Sequence, residues 1–398
     1  MDPITHGITG ALLGKGYFSD RNGRVSIFAA TLGAVFPDID TVADAISRDP
    51  LAIIKYHRGI THSFVGLPFF AAILAWLTRW AARRLKIDAP SWGILTFIYG
   101  LGIASHILLD GMTSFGTRML TPISQQRVAW DLLFIIDLVF TSIVVLPQII
   151  AWIYRDRAES RVRAVKMWIF FTLAAIASWV LASGVGYAFH VSVLIVAILI
   201  IGVLLFLPMW GDWGFRFKRS SWCRAGIYTI VVYLGLCWSA HHLVMKQVKT
   251  FAAENHIEVE RMGALPLPPS WLSWGGVIRS TNGVYQSRFD LRHLQPQLFT
   301  FTADSPPDQY VSEALALSEV RTYWGFARFP VIRSTTQEGL HIVELGENRF
   351  VNPKRRRPQP FTYVVVFDSG GKVVEEGWEQ NGMFMENLTR IPHHAVAP

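Results

Sequence analysis

Six apolar runs constrain this chain more than any other feature. Residues 64–80, 92–109, 132–154, 168–189, 191–210 and 225–244 each approach the length of about 20 residues that a helix needs to cross hydrocarbon. A lipid interior has no water to satisfy backbone N–H and C=O groups, so runs of this kind must be helices. Two shorter apolar segments, 4–13 and 25–36, cannot cross alone and fit a tilted or re-entrant hairpin packed against the others. The expected fold is mainly α: a polytopic α-helical membrane domain of six spans plus a short N-terminal helical hairpin, followed by a soluble α+β domain. The N-terminus lacks the basic region of a secretory signal, so its apolar segments are expected to remain. Cys223 and Cys237 are the only cysteines, which excludes a disulfide framework or a cysteine-based zinc ribbon.

The charge is unevenly distributed. Residues 1–249 carry 23 Lys and Arg against 13 Asp and Glu, whereas residues 250–398 carry 14 against 16. The basic excess therefore belongs to the membrane half and reads as an orientation signal, with no nucleic-acid partner implied. Its clusters are Arg79/Arg83/Arg84/Lys86, Arg155/Arg157/Arg161/Arg163/Lys166 and Arg216/Lys218/Arg219/Arg224, and they occupy alternate loops. The positive-inside rule places all three in the cytoplasm. The opposite face then receives His6, residues 36–63, residues 106–131 and everything after about residue 246.

Beyond Lys249 the character changes. Pro266, Pro268 and Pro269 mark a linker or loop. Strands are expected at 272–279, 284–291, 331–334, 340–345, 361–367 and 372–378, with an Asn-Gly hairpin signal at Asn282-Gly283. Residues 308–324 read as one helix. The division expected is a membrane-embedded core at 1–155, additional transmembrane helices at 156–249, and a soluble extracytoplasmic domain at 250–398.

Ligand-type side chains stand at the ends of the apolar runs. His106 and Asp110 are four apart, so on a helix they share a face and can grip one ion. Asp38 and Asp40 follow Pro37 in a loop, where they can bind cations or cap the next helix. His57 and His62 flank Gly59, which permits a turn that aims both at one pocket. Thr5-His6 echoes Thr61-His62. Arg58 carries a permanently charged, bidentate fork suited to an anionic group. Asp137, within apolar sequence, is expected to be a partner to a ligating histidine. His241-His242 reads as interfacial packing, and Lys354-Arg355-Arg356-Arg357 as a solvated loop. Neutral imidazoles and carboxylates are what a divalent metal requires, and placing several beside hydrocarbon is costly unless they share a partner.

Asp2-Pro3-Ile4-Thr5-His6, Phe36-Pro37-Asp38-Ile39-Asp40, His57-Arg58-Gly59-Ile60-Thr61-His62-Ser63 and His106-Ile107-Leu108-Leu109-Asp110 occur in this order. With Ser114-Phe115-Gly116-Thr117 and Trp130-Asp131 they resemble the YdjM-like family of bacterial inner-membrane proteins, described as metal-dependent hydrolases. The resemblance covers about the first 155 residues. It implies a multi-pass protein of the bacterial cytoplasmic membrane whose partner is the lipid bilayer. The His-x-x-x-Asp element also looks like the zinc-dependent phospholipase C and nuclease group, which would imply phosphoester hydrolysis.

These readings converge on a membrane-bound metal-dependent hydrolase. His6, Asp38, His62, His106 and Asp110 are the expected ligands of a divalent metal, zinc by ligand type, with one to three ions. Asp40 and His57 are the expected base or further ligand, and Arg58 the holder of the anionic group of a lipid or phosphoester substrate. The alternative is a non-enzymatic membrane scaffold or regulator whose polar residues form a structural site. A transporter fits less well, because the polar residues gather at one face rather than at the midplane.

Overall fold

The computed structural model describes residues 1–47, 49–184, 190–292, 298–350 and 360–379. The expected basic loop Lys354–Arg357 and the end of the run 168–189 lie outside the described residues. The chain is mostly helical, with a C-terminal domain that contains two sheets. Its helices are α1 (Pro3–Leu13), α2 (Ser19–Val35), α3 (Asp40–Ile46), α4 (Ala52–Lys55), α5 (Leu67–Leu85), α6 (Trp92–Gly111), α7 (Leu138–Ile153), α8 (Arg157–Gly184), α9 (Val191–Phe206) and α10 (Arg219–Glu254), then α11 (Gln309–Ala316) and α12 (Ser318–Phe326).

Among the described residues, five helical units are long and apolar enough to cross a membrane: Pro3–Val42, Trp92–Gly111, Arg157–Val180, Val191–Phe215 and Arg219–Glu254. Ala52–His62 and Leu67–Leu85 meet at 71° and make a sixth if they form one broken span. This set differs from the six runs expected. The run 132–154 forms a helix of only 16 residues, because Asp137 caps α7 and residues before it are irregular. The Pro3–Val42 unit doubles back where Gly23 adopts φ +68°, so α1 lies against α2 as a hairpin. In the most apolar stretches of α8 and α9, only 6% and 11% of residues are buried within the protein. Large side chains there, such as Phe170, Leu173, Val196 and Leu199, are exposed and have lipid as their natural cover.

The C-terminal domain holds β1 (Val259–Leu267), β2 (Ser273–Ser280), β3 (Gly283–Asp290) and β4 (Thr300–Ala303) in one antiparallel sheet. A second antiparallel sheet holds β5 (Pro330–Gln337), β6 (Leu340–Glu347), β7 (Tyr363–Phe367) and β8 (Val373–Trp378). β2 and β3 pair from Ser280↔Gly283 onward, so the hairpin turns at Thr281-Asn282. Three expectations need correction. The proline segment is no interdomain linker: Pro266 pairs with Trp274 inside β1, an edge strand where a missing N–H is tolerated, while Pro268 and Pro269 lie in the loop between β1 and β2. β1 and β4 carry too little alternation to have been foreseen. The single helix expected at 308–324 is two, broken at Leu317, whose backbone is extended.

The two parts of the chain interlock. Val244, Val248 and Ala252 of α10 continue past the apolar run and bury against Trp274, Ile278 and Phe289 of the first sheet. Leu51 and Phe115, from loops of the helical part, and Ile54 of α4 join the core formed by α11, α12 and the second sheet. Arg328 makes a two-pronged ion pair with Asp131 at 2.9 and 2.8 Å, and Arg349 donates to the Ser114 carbonyl at 2.9 Å. The sheet-containing domain therefore rests on the loops that carry the histidines and aspartates.

Candidate metal centre

Close helix packing brings the polar residues together. At Gly10 of α1 an added Cβ would sit 2.4 Å from the Ala30 carbonyl oxygen, and at Gly102 of α6 it would sit 2.7 Å from the same atom. Only glycine allows both helices to approach α2 this closely. His6 lies one turn before Gly10 and His106 one turn after Gly102, so their rings stack at 3.6 Å with planes 17° apart. Two short turns supply the rest. Phe36–Ile39 follows α2 and carries Asp38, while Ile60–His62 carries His62.

Asp38, His62, His106 and Asp110 converge. His62 Nε2 lies 3.0 Å from His106 Nε2, 3.5 Å from Asp38 Oδ1 and 3.4 Å from Asp110 Oδ2. His106 Nε2 lies 3.4 Å from both Asp38 Oδ1 and Asp110 Oδ2. A tetrahedral ion with ligand bonds of about 2.0–2.2 Å has ligand–ligand edges of about 3.3–3.6 Å. Four of these five distances fall within that range and the fifth is slightly short.

The hydrogen bonds around the cluster fit a cation at its centre. His106 Nδ1 is 2.7 Å from the Ala34 carbonyl, an acceptor only, so Nδ1 carries the proton and Nε2 presents its lone pair. His62 Nδ1 is 3.1 Å from Asp40 Oδ2, the carboxylate–histidine arrangement common behind metal ligands. Two lone pairs then face each other at 3.0 Å, which is repulsive unless a proton or a metal lies between them. Asp38 Oδ2 is buried with no hydrogen-bond partner, and Asp110 Oδ2 has the Arg58 guanidinium at 2.9 Å but no aligned hydrogen bond. Buried carboxylate oxygens without a donor are costly, and a shared cation is the simplest compensation.

Outer residues hold this set in place. Asp40 links His57 Nδ1 at 2.8 Å and His62 Nδ1, and also accepts from the Thr61 hydroxyl at 2.9 Å and the Arg58 backbone N–H at 3.0 Å. Arg58 is buried at φ +60°, with Nε 2.9 Å from Asp110 Oδ2 and Nη1 donating to the Asp110 carbonyl, Thr113 Oγ1 and the Gly116 carbonyl. His6 is not in the four-residue set. Its Nε2 lies 3.1 Å from the other Asp110 oxygen, Oδ1, which the Met1 amino group also contacts. The partly exposed edge of the cluster is formed by Asp38, Asp40 and His57.

Asp137 does not serve a histidine as expected. Its Oδ1 caps α7 by accepting from the N–H groups of Val139 and Phe140, and its Oδ2 accepts from the Tyr233 hydroxyl at 2.7 Å. It ties α7 to α10, a role its place at a helix start could have suggested. Asp131 is engaged by Arg328. His241 and His242 lie away from the cluster, against Trp274 and Trp238 respectively. Thr61, Thr113 and the Ala34 carbonyl were not foreseen as supports, because a lone threonine hydroxyl carries no pattern and a backbone acceptor leaves no mark in sequence.

Residues 1–182 match the family model of the YdjM inner membrane protein. This defines the class that the membrane part resembles, and the match reaches past the motifs into α8. The uncharacterized protein YfhP of Bacillus subtilis (strain 168) is 29% identical over 141 residues, covering 33% of this chain and 41% of that protein. The aligned region thus spans less than half of that relative's length. No solved structure matches.

Proposed function

We propose that this chain is a membrane-bound metal-dependent hydrolase acting on a phosphoester or lipid-linked substrate at the outer face of the cytoplasmic membrane. In this reading residues 1–155 form the hydrolase core, 156–249 add transmembrane helices, and 250–398 form an extracytoplasmic domain. The observation that carries it is the converging set of Asp38, His62, His106 and Asp110, with near-tetrahedral spacing and both Nε2 atoms turned inward.

These four residues would hold the ion, with zinc favoured by the two imidazoles and two carboxylates. A bound zinc supplies Lewis-acid polarisation and lowers the pKa of a coordinated water. The protein's own contribution is to orient and to move protons. Asp40 fixes the His62 ring, and on its other oxygen it orients His57, whose Nε2 is left to accept a proton at the open edge. Arg58 holds Asp110 in position and offsets its charge. His6 holds the second oxygen of the same carboxylate.

A second reading, a structural metal site in a non-enzymatic membrane scaffold, is favoured by one specific feature. Four protein ligands fill a tetrahedral shell, whereas catalytic zinc sites usually keep one position open. Purified protein assayed on phospholipid and nitrophenyl phosphate decides between them. The hydrolase reading expects turnover that chelation removes and His57→Ala reduces by about 10²–10⁴-fold while metal is retained. Metal retention without turnover on any phosphoester would favour the scaffold.

A further inference from the structure

A second polar feature lies beside the metal centre, where the loop after α6 meets the C-terminal domain. A cavity of about 630 Å³ is lined by six cationic residues, Lys55, Arg118, Arg127, Arg261, Arg328 and Arg349, and by no carboxylate. Three of the six are neutralised from behind: Lys55 by Asp49 at 2.7 Å, Arg328 by Asp131 at 2.8 Å and Arg349 by Glu347 at 3.3 Å. The other three have no ion-pair partner among the described residues. Arg127 donates only to the carbonyls of Ile54 and Gly116, at 2.7 and 3.4 Å. Arg118 donates to Gln125 and to the Lys55 and His57 carbonyls, and its buried Nε has no partner. Arg261 is exposed at the rim.

Gathering unpaired guanidinium groups in a half-buried cavity is unfavourable without an anion. Burial and the neighbouring Arg118, Arg58 and Arg349 pull the Arg127 guanidinium down to about 9, the mark of a cation whose close neighbours share its sign. The cavity also adjoins the metal centre. The Phe115 ring lines it and lies 4.8 Å from the Arg58 guanidinium carbon, 5.3 Å from that of Arg127 and 6.0 Å from the His57 ring. Arg58 and Arg127 both donate to the Gly116 carbonyl. Planar forks of this kind suit the oxygens of a phosphoryl group.

We propose that this cavity binds a phosphoryl anion, with Arg118, Arg127 and Arg261 as its recognition residues, and that the anion is the charged group of the substrate held beside the metal centre. The substrate role of the anion rests on the hydrolase reading, whereas its binding does not.

The test uses the full-length protein in detergent, stripped of metal with a chelator, so that binding is read without turnover. Inorganic phosphate is titrated by calorimetry, and retention of phosphatidylglycerol over phosphatidylcholine is measured by native mass spectrometry. The shared phosphoryl chemistry predicts binding in at least one arm: phosphate binding points to a soluble ester, and selective phosphatidylglycerol retention to a lipid headgroup. Arg118→Gln/Arg127→Gln should weaken binding about tenfold or more, since one buried charge-assisted contact alone is worth about that factor. Arg261→Gln has no internal partner to disturb and should weaken it several-fold with unchanged thermal unfolding, which keeps the test decisive if the double variant misfolds. Absence of binding in both arms, or binding unaffected by Arg261→Gln, overturns the proposal. Phosphate binding by a protein that, as purified and before chelation, holds no metal would instead uphold the cavity and sink the hydrolase reading.

Discussion

His62 and His106 face each other through their Nε2 atoms at 3.0 Å, while their Nδ1 atoms are occupied by Asp40 and by the Ala34 carbonyl. The arrangement fixes which nitrogen of each ring is available. It also makes the pair a poor neutral contact and a good half of a metal shell, with Asp38 and Asp110 as the other half.

Asp40→Asn should therefore keep the fold but loosen the metal. The amide cannot accept from both histidines as a carboxylate does, and removing such an outer partner typically costs about 10–100-fold in metal affinity. Competition with a chromophoric chelator measures it; an affinity equal to that of the unaltered protein would remove Asp40 from the account.

Arg58→Ala should act on stability as well as on the site. Its guanidinium and the Asp110 carboxylate are both buried, and breaking such a pair strands a charge at a cost of about 3–5 kcal/mol. Arg58→Lys should rescue little, because one ammonium cannot reach the carboxylate, Thr113 and the Gly116 carbonyl together. Thermal unfolding of the metal-free forms in detergent checks this, and wild-type melting of the alanine variant would contradict it.

Gly102→Val should disrupt the centre from a distance. A side chain there meets the Ala30 carbonyl oxygen and the Ala34 N, so α6 must move off α2 and carry His106 with it. Overpacking of this kind costs about 1–3 kcal/mol. The expected result is reduced metal content in protein that still purifies; full metal content would show that α6 tolerates the displacement.

Orientation is testable with single cysteines. Cys223 and Cys237 are buried, so labelling by a membrane-impermeant maleimide starts from a low background. Glu338→Cys, in the exposed β5–β6 turn, should label in intact spheroplasts, and Arg84→Cys only after lysis. The reverse pattern would place the C-terminal domain and the metal centre on the cytoplasmic side.

Much of the cluster was legible because its residues stand in motifs where charge interrupts hydrocarbon. His106 and Asp110 announce themselves by helical spacing, and Asp38 and His62 by polar turns at the ends of apolar runs. His6 was placed near the site by the same logic, but spacing could not say that it faces Asp110 Oδ1 instead of the shared centre. Arg58 looked like an anion holder from its chemistry alone; its burial against Asp110 depends on a left-handed backbone that sequence does not specify. The unpaired Arg118, Arg127 and Arg261 were invisible, since the cavity exists only where two distant segments of chain meet. In the fold, α7 was overextended because hydropathy counts Leu132 to Ile136 as apolar, whereas Asp137 caps the helix after them.

The most direct test of the central claim is X-ray absorption at the zinc edge on full-length protein purified without added chelator. The expected result is about one zinc per chain, bound by two imidazole nitrogens and two oxygens at about 2.0–2.2 Å, with the imidazole signal lost in His62→Ala/His106→Ala. A protein that retains no zinc or other divalent metal, or one whose metal keeps the same imidazole signal in that double variant, would contradict it.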